Sequence, residues 1–163
     1  MSDDNMREHL INAMKSRAMF YWAFYKEFSA EIGPEKAAEI MKRAIYKRGL
    51  EIGKQFKKFA PGDMAGLKDA FVANVPDPQA TFNPNVERCD AAGIDIQLQS
   101  CPLKDAWKEA GLTDEQIALM THIAGQVDNG TFEGAGFEFS ADTWQAGRSG
   151  CCHLHIRPGV KGK

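Results

Sequence analysis

The apolar residues of this chain change period once, near residue 80, and that switch limits the architectures open to it. From Met6 to Glu31 there is neither proline nor glycine. Leu10, Ile11, Met14, Ala18, Tyr21, Trp22, Tyr25 and Phe28 recur at three- and four-residue steps, which predicts a helix. Its second half, Met19-Phe20-Tyr21-Trp22-Ala23-Phe24-Tyr25, is aromatic nearly all round, so neighbouring helices or another subunit are expected to cover it. Gly33-Pro34 ends this helix, and Pro34 suits the first turn of the next. That second helix is predicted from Glu35 to Phe59, burying Ala37, Ile40, Met41, Ala44, Ile45 and Ile52. Ala60-Pro61-Gly62-Asp63 stops it, and Asp63 can cap a third helix over Met64 to Asn74.

Pro76-Asp77-Pro78 and Asn83-Pro84-Asn85 then punctuate the change. Val86 to Cys89 reads as a strand and Ala91-Ala92-Gly93 as a turn. Ile94, Ile96 and Leu98 alternate with Asp95, Gln97 and Gln99 in a half-buried strand. Cys101-Pro102 opens a short helix through Ala110, broken by Gly111. Thr113 and Gln116 have capping-box spacing for another helix, to about Val127. Asp128-Asn129-Gly130 spells a turn. Phe137 to Thr143 and Cys151 to Arg157 read as two final strands, joined by a loop with Gly147 and Gly150, and the Gly/Lys tail is expected to fray. The predicted fold is α+β: N-terminal helices packed on a small, mainly antiparallel four-stranded sheet, with helices inserted between strands. We expect one domain over 1–163, with a helical part at 1–75 and a sheet-containing part at 80–158.

Composition removes several classes of function. No apolar run approaches the roughly 20 residues that span a bilayer, and Met1-Ser2-Asp3-Asp4 lacks the basic-then-apolar order of a signal peptide. No membrane role and a cytoplasmic location are therefore expected, with reduced cysteines. The net charge of −2 hides an asymmetry: residues 1–60 carry 12 Lys/Arg and 8 Asp/Glu, the remainder 8 and 14. Lys42 to Lys58 holds seven basic residues and one acid, Glu51. No base-reading motif accompanies them, so they read as a solvated helix face and not as a nucleic-acid site. The aromatic area of the first helix favours a homo-oligomer.

The residues suited to chemistry concentrate near the end. Cys151-Cys152-His153-Leu154-His155 packs two of the four cysteines and two of the four histidines into five positions. Strand alternation puts Cys152, Leu154 and Ile156 on one face and Cys151, His153, His155 and Arg157 on the other. The apolar set should face the core, which places Cys152 where sheet meets helices. Cys101, just before Pro102, sits near a helix N-cap, whose free N–H groups lower a thiol pKa. His122 lies mid-helix, and Asp128 follows at that helix's expected C-terminus, where an acid opposes the dipole. A zinc site is the competing use of Cys and His, but the paired spacing of a zinc finger or ribbon is missing. Gly-rich phosphate loops, a Gly-x-Ser-x-Gly elbow and a His-Glu-x-x-His pair are missing as well.

Cys101-Pro102-Leu103, a helix leading to Asp128, then Gly147 and Cys152-x-Leu154-x-Ile156 resemble the L-2-amino-thiazoline-4-carboxylic acid hydrolase family over about residues 95–157. Three positions differ from that pattern: His122 stands in place of a Cys, Arg148 in place of an Asp, and Leu154 in place of an aromatic residue. The resemblance implies hydrolysis of a C–N bond in a small cyclic amidine or amide, a small-molecule substrate and no cofactor. In the mechanism it suggests, a thiolate, Cys152 first and Cys101 second, attacks the ring carbon. His122 moves the proton and Asp128 orients the imidazole, while His155 or Arg157 receives a substrate carboxylate. A sensor domain that binds without turnover, and a zinc-dependent hydrolase, are the alternatives.

Overall fold

Helices fill the first half, and a four-stranded sheet with three helices inserted between its strands fills the second, as the two periods predict. The structure, a computed structural model, describes residues 3–160; the tail expected to fray lies partly outside them, at 161–163. Helix α1 spans Asp3–Ile32 and α2 spans Pro34–Gly53, running on as a 3-10 turn, Lys54–Phe59. Helix α3, Met64–Ala73, starts on Asp63, whose side chain accepts the Gly66 N–H at 2.9 Å. Strands β1 (Pro84–Asp90) and β2 (Gly93–Leu98) form a hairpin. Helix α4 covers Pro102–Glu109, and α5, Asp114–Ala124, begins on the complete capping box of Thr113 and Gln116.

One element departs from expectation. Asp128-Asn129-Gly130 is not a turn but lies inside a further helix, α6, Gln126–Ala135, which restarts directly after Gly125 and ends at left-handed Gly136. Packing against α2 overrides the local turn signal. A Cβ on Gly130 would run into the Tyr46 carbonyl oxygen, one on Gly49 into that of Val127, and one on Gly53 into that of Thr131. The two helices therefore touch backbone to backbone, which only glycine permits here. Tyr46 adds a hydrogen bond to Glu133, 2.7 Å from its hydroxyl. This seam also rotates α2, so Ala38, Met41, Ile45 and Gly49 face inward while Ile40 and Ala44, expected inside, are exposed.

Strands β3 (Glu138–Asp142) and β4 (Cys152–Arg157) complete an antiparallel sheet of order β1-β2-β4-β3. Ile94 opposes Ile156 and Ile96 opposes Leu154 on its inner face, and all four are essentially inaccessible. They pack with Phe132 and Trp107 into one core, burial that contributes roughly 1.5–3 kcal/mol per large side chain. On the outer face Asp95 gathers Arg88, His155 and Arg157. Burial raises the Asp95 pKa, but these hydrogen bonds outweigh it and hold the carboxyl down at about 2.

Helix α1 is covered on one side only. Met14 and Ala18 are buried, and the Trp107 indole N–H donates to the Ala18 carbonyl at 2.9 Å. Tyr21, Trp22 and Tyr25 pack partly against the core. Phe20, Phe24 and Phe28 form an exposed ladder with successive ring centroids 6.2 Å apart. Among the described residues no helix is long and apolar enough to cross a membrane.

Candidate active site

Three of the four cysteines meet at one end of the central strands. Strand β2 ends at Leu98, and Cys101, three residues on, is the N-cap of α4. Strand β4 opens with Cys152 opposite Leu98, while the Cys151 N–H donates to the Leu98 carbonyl at 2.8 Å. Gly150, in the left-handed region with φ +72°, turns the chain into this strand. A side chain there would also crowd the Leu98 carbonyl.

Cys101 and Cys151 are buried and Cys152 is half-buried. The sulfurs of Cys151 and Cys152 lie 3.2 Å apart, and the Lys104 N–H points at the Cys101 sulfur from 3.5 Å. The hydrogen bond from Cys151 pushes the Cys101 thiol below its ordinary range; burial opposes this, and the N–H groups of Lys104 and Leu103 reinforce it. Cys151 is pushed up for the complementary reasons: it donates to Cys101, contacts Cys152 and is buried. Within the trio Cys101 is therefore the more acidic thiol and Cys151 the less acidic one, and a lowered thiol pKa raises the thiolate fraction.

All three thiols line a cavity of about 300 Å³ between the sheet end and the helices, at the small end of the ligand-pocket range. Most of its wall is apolar, including Phe56, Phe71, Phe82, Leu103 and Trp107. Phe56, Cys101, Trp107, Thr121, Thr131 and Cys151 are buried, whereas Arg17, Gln55, Asn74 and Pro76 are exposed and form its rim. Asp128 lines the same cavity, and it sits in the first turn of α6, not at the end of α5 as expected. A helix N-terminus favours a carboxylate. Burial nevertheless outweighs the charge of Arg17, raising the Asp128 pKa to about 7. A carboxyl that titrates there can both give and take a proton near neutral pH.

The cavity brings together Cys101, Cys152 and Asp128, and leaves out the other three residues singled out from the sequence. His122 is exposed on α5 and does not line it; Thr121 and Ala124 do. Burial and the charge of Lys42 lower its pKa, and no hydrogen bond to Asp128 orients it among the described residues. His155 and Arg157 lie on the outer face of the sheet. There His155 Nδ1 is 2.8 Å and Arg157 Nη2 2.7 Å from Asp95 Oδ1, so the strand twist does not present them to the cavity. Two lining residues escaped the sequence reading. Cys151 precedes the strand, so alternation does not govern it. Arg17 is exposed beside Ala18, the residue that fills the apolar stripe of α1 between Met14 and Tyr21, so nothing in the pattern of α1 singled it out.

Fold and cavity together define an α+β protein with a cysteine-lined internal cavity. The chain belongs to the L-2-amino-thiazoline-4-carboxylic acid hydrolase family, whose model matches residues 12–156. No curated relative matches the chain in sequence. Among solved structures it is similar to a trafficking protein particle complex subunit 3 from Naegleria fowleri covalently bound to palmitic acid. That match has a TM-score of 0.61 and 14 % sequence identity, over 92 % of this chain and 98 % of the other; it is a likeness of fold.

Proposed function

We propose that the chain hydrolyses a C–N bond of a small cyclic amide or amidine, with Cys101 as the nucleophile. The observation that carries this is the Cys101 sulfur, made more acidic by a hydrogen bond from Cys151 and by backbone N–H groups, inside a cavity it shares with Asp128. Cys101 thereby replaces Cys152 as first choice, and Asp128 replaces His122 as proton carrier.

For an amide, the Cys101 thiolate adds to the carbonyl carbon and its C–N bond breaks. The electron pair leaves with the nitrogen, which takes the Asp128 proton. The resulting acyl-cysteine is then attacked by water. The Asp128 carboxylate takes a water proton, the thiolate leaves, and both groups return to their starting states. As sulfur gives up its charge, the N–H groups at the start of α4 become free to stabilise the oxyanion. The test is limited iodoacetamide alkylation near pH 7, followed residue by residue, then assay of cyclic amides and amidines. Cys101 is expected to react fastest, and Cys101→Ser to lose at least ~10³-fold in kcat/KM. Uniformly slow alkylation, or an active Cys101→Ser variant, refutes the mechanism.

A second reading has its own support. The apolar wall suits a ligand held without turnover, and the structurally similar trafficking subunit is described as carrying palmitic acid covalently. An acylated or ligand-loaded chain that turns over no amide favours it. The zinc-dependent alternative has no such support: among the described residues no three His, Cys, Asp or Glu side chains are grouped to hold a metal ion.

A further inference from the structure

The rim and the interior of the cavity differ in chemistry. Inside, the wall is aromatic and aliphatic. At the mouth stands Arg17, exposed, with no hydrogen bond and no ion pair within 4 Å to any described residue. The carboxyl nearest to it in effect is Asp128, whose titration near 7 leaves it only partly charged at neutral pH. Asp77, beside the rim residue Pro76, is already engaged by Arg7, with Nε 2.6 Å from Oδ2. A guanidinium whose N–H groups are bonded to no protein acceptor, at the entrance of an apolar chamber, is arranged to receive an anion, and its planar fork fits a carboxylate.

We infer that the site takes a carboxylate joined to an apolar group, with Arg17 holding the carboxylate at the rim while the apolar part fills the cavity toward Cys101. This deepens the hydrolase reading, since it names the class of substrate, and it moves carboxylate recognition from His155 and Arg157 to Arg17. The namesake substrate is small and polar beside such a wall. A longer or bulkier apolar body matches it better, because every apolar surface it presents is removed from water.

The test uses the full chain as the Cys101→Ser variant, so that binding is read apart from turnover. Decanoate and decanol are titrated at pH 6, where Asp128 is mostly neutral and decanoate ionised, with tryptophan fluorescence as readout, Trp107 being in the cavity wall. Decanoate is expected to bind about tenfold or more tightly than decanol. Adding Arg17→Gln should erase that preference with decanol affinity unchanged, and Arg17→Lys should restore part of it. Equal binding of the two probes, binding of neither, or a preference that survives Arg17→Gln overturns the inference. If the preference holds but no amide is hydrolysed by the unmodified chain, the hydrolase reading fails and the carboxylate site stands. If amides are hydrolysed with no role for Arg17, the reverse follows.

Discussion

Asp128 carries a stability signature that separates its burial from any role in turnover. Its folded pKa, about 7, lies above the ordinary carboxyl value of 3.8, so the folded chain keeps a proton that the unfolded chain releases. Its contribution is fully present below pH 4 and is lost as pH rises through 7. Between pH 4 and pH 8 the wild type should therefore lose up to ~4 kcal/mol relative to Asp128→Asn, read from urea unfolding at both values. Parallel behaviour of the two proteins would show that the carboxyl is not held neutral. Cys101 was legible in the sequence as the N-cap before Pro102, whereas Asp128 was picked out at the end of α5 and lies instead in the first turn of α6. His122 misled because it sits one position past Thr121, and one residue turns a helical side chain by a quarter turn or more. Cys151 and Arg17 required the fold, since their neighbours along the chain do not reveal what faces them.

At the scale of elements, the junction of α2 and α6 was the part that local reasoning lost. A turn-forming triplet there is helical because Gly49, Gly53 and Gly130 let two backbones approach where any side chain would collide with a carbonyl oxygen. Gly130→Ala should destabilise the chain by more than ~2 kcal/mol, with the urea midpoint falling. Gly62→Ala, which meets nothing within 4 Å, should stay within ~0.5 kcal/mol. Equal effects of the two substitutions would mean the seam is loose. Elements whose signals were purely local, such as the capping box of α5 and the alternation of β2, formed as expected because nothing tertiary competes with them. The helix–helix approach involves residues some 80 positions apart, and no window of sequence contains it.

For the whole molecule, the expectation of self-association now rests on a smaller surface than the sequence suggested. The core takes up part of Tyr21, Trp22 and Tyr25, leaving Phe20 at 60 % and Phe24 at 51 % exposure as the crest of α1. Sedimentation velocity over a wide concentration range is expected to show an oligomer that Phe24→Glu dissociates. A concentration-independent monomer removes the expectation. The order of helices and sheet was readable at this scale because the change of apolar period is a property of long segments, insensitive to any single residue.

The glycine seam also sets a tempo. With α2 and α6 in backbone contact, the wall that carries Asp128 cannot part like a jaw. Traffic into the chamber must pass by reorientation of the rim side chains Arg17, Gln55 and Asn74. Exposed side chains turn over in picoseconds to nanoseconds, whereas helices shift in microseconds to milliseconds. Capture of a ligand should then follow a single exponential whose rate climbs linearly with concentration, without the plateau that a slow opening step imposes.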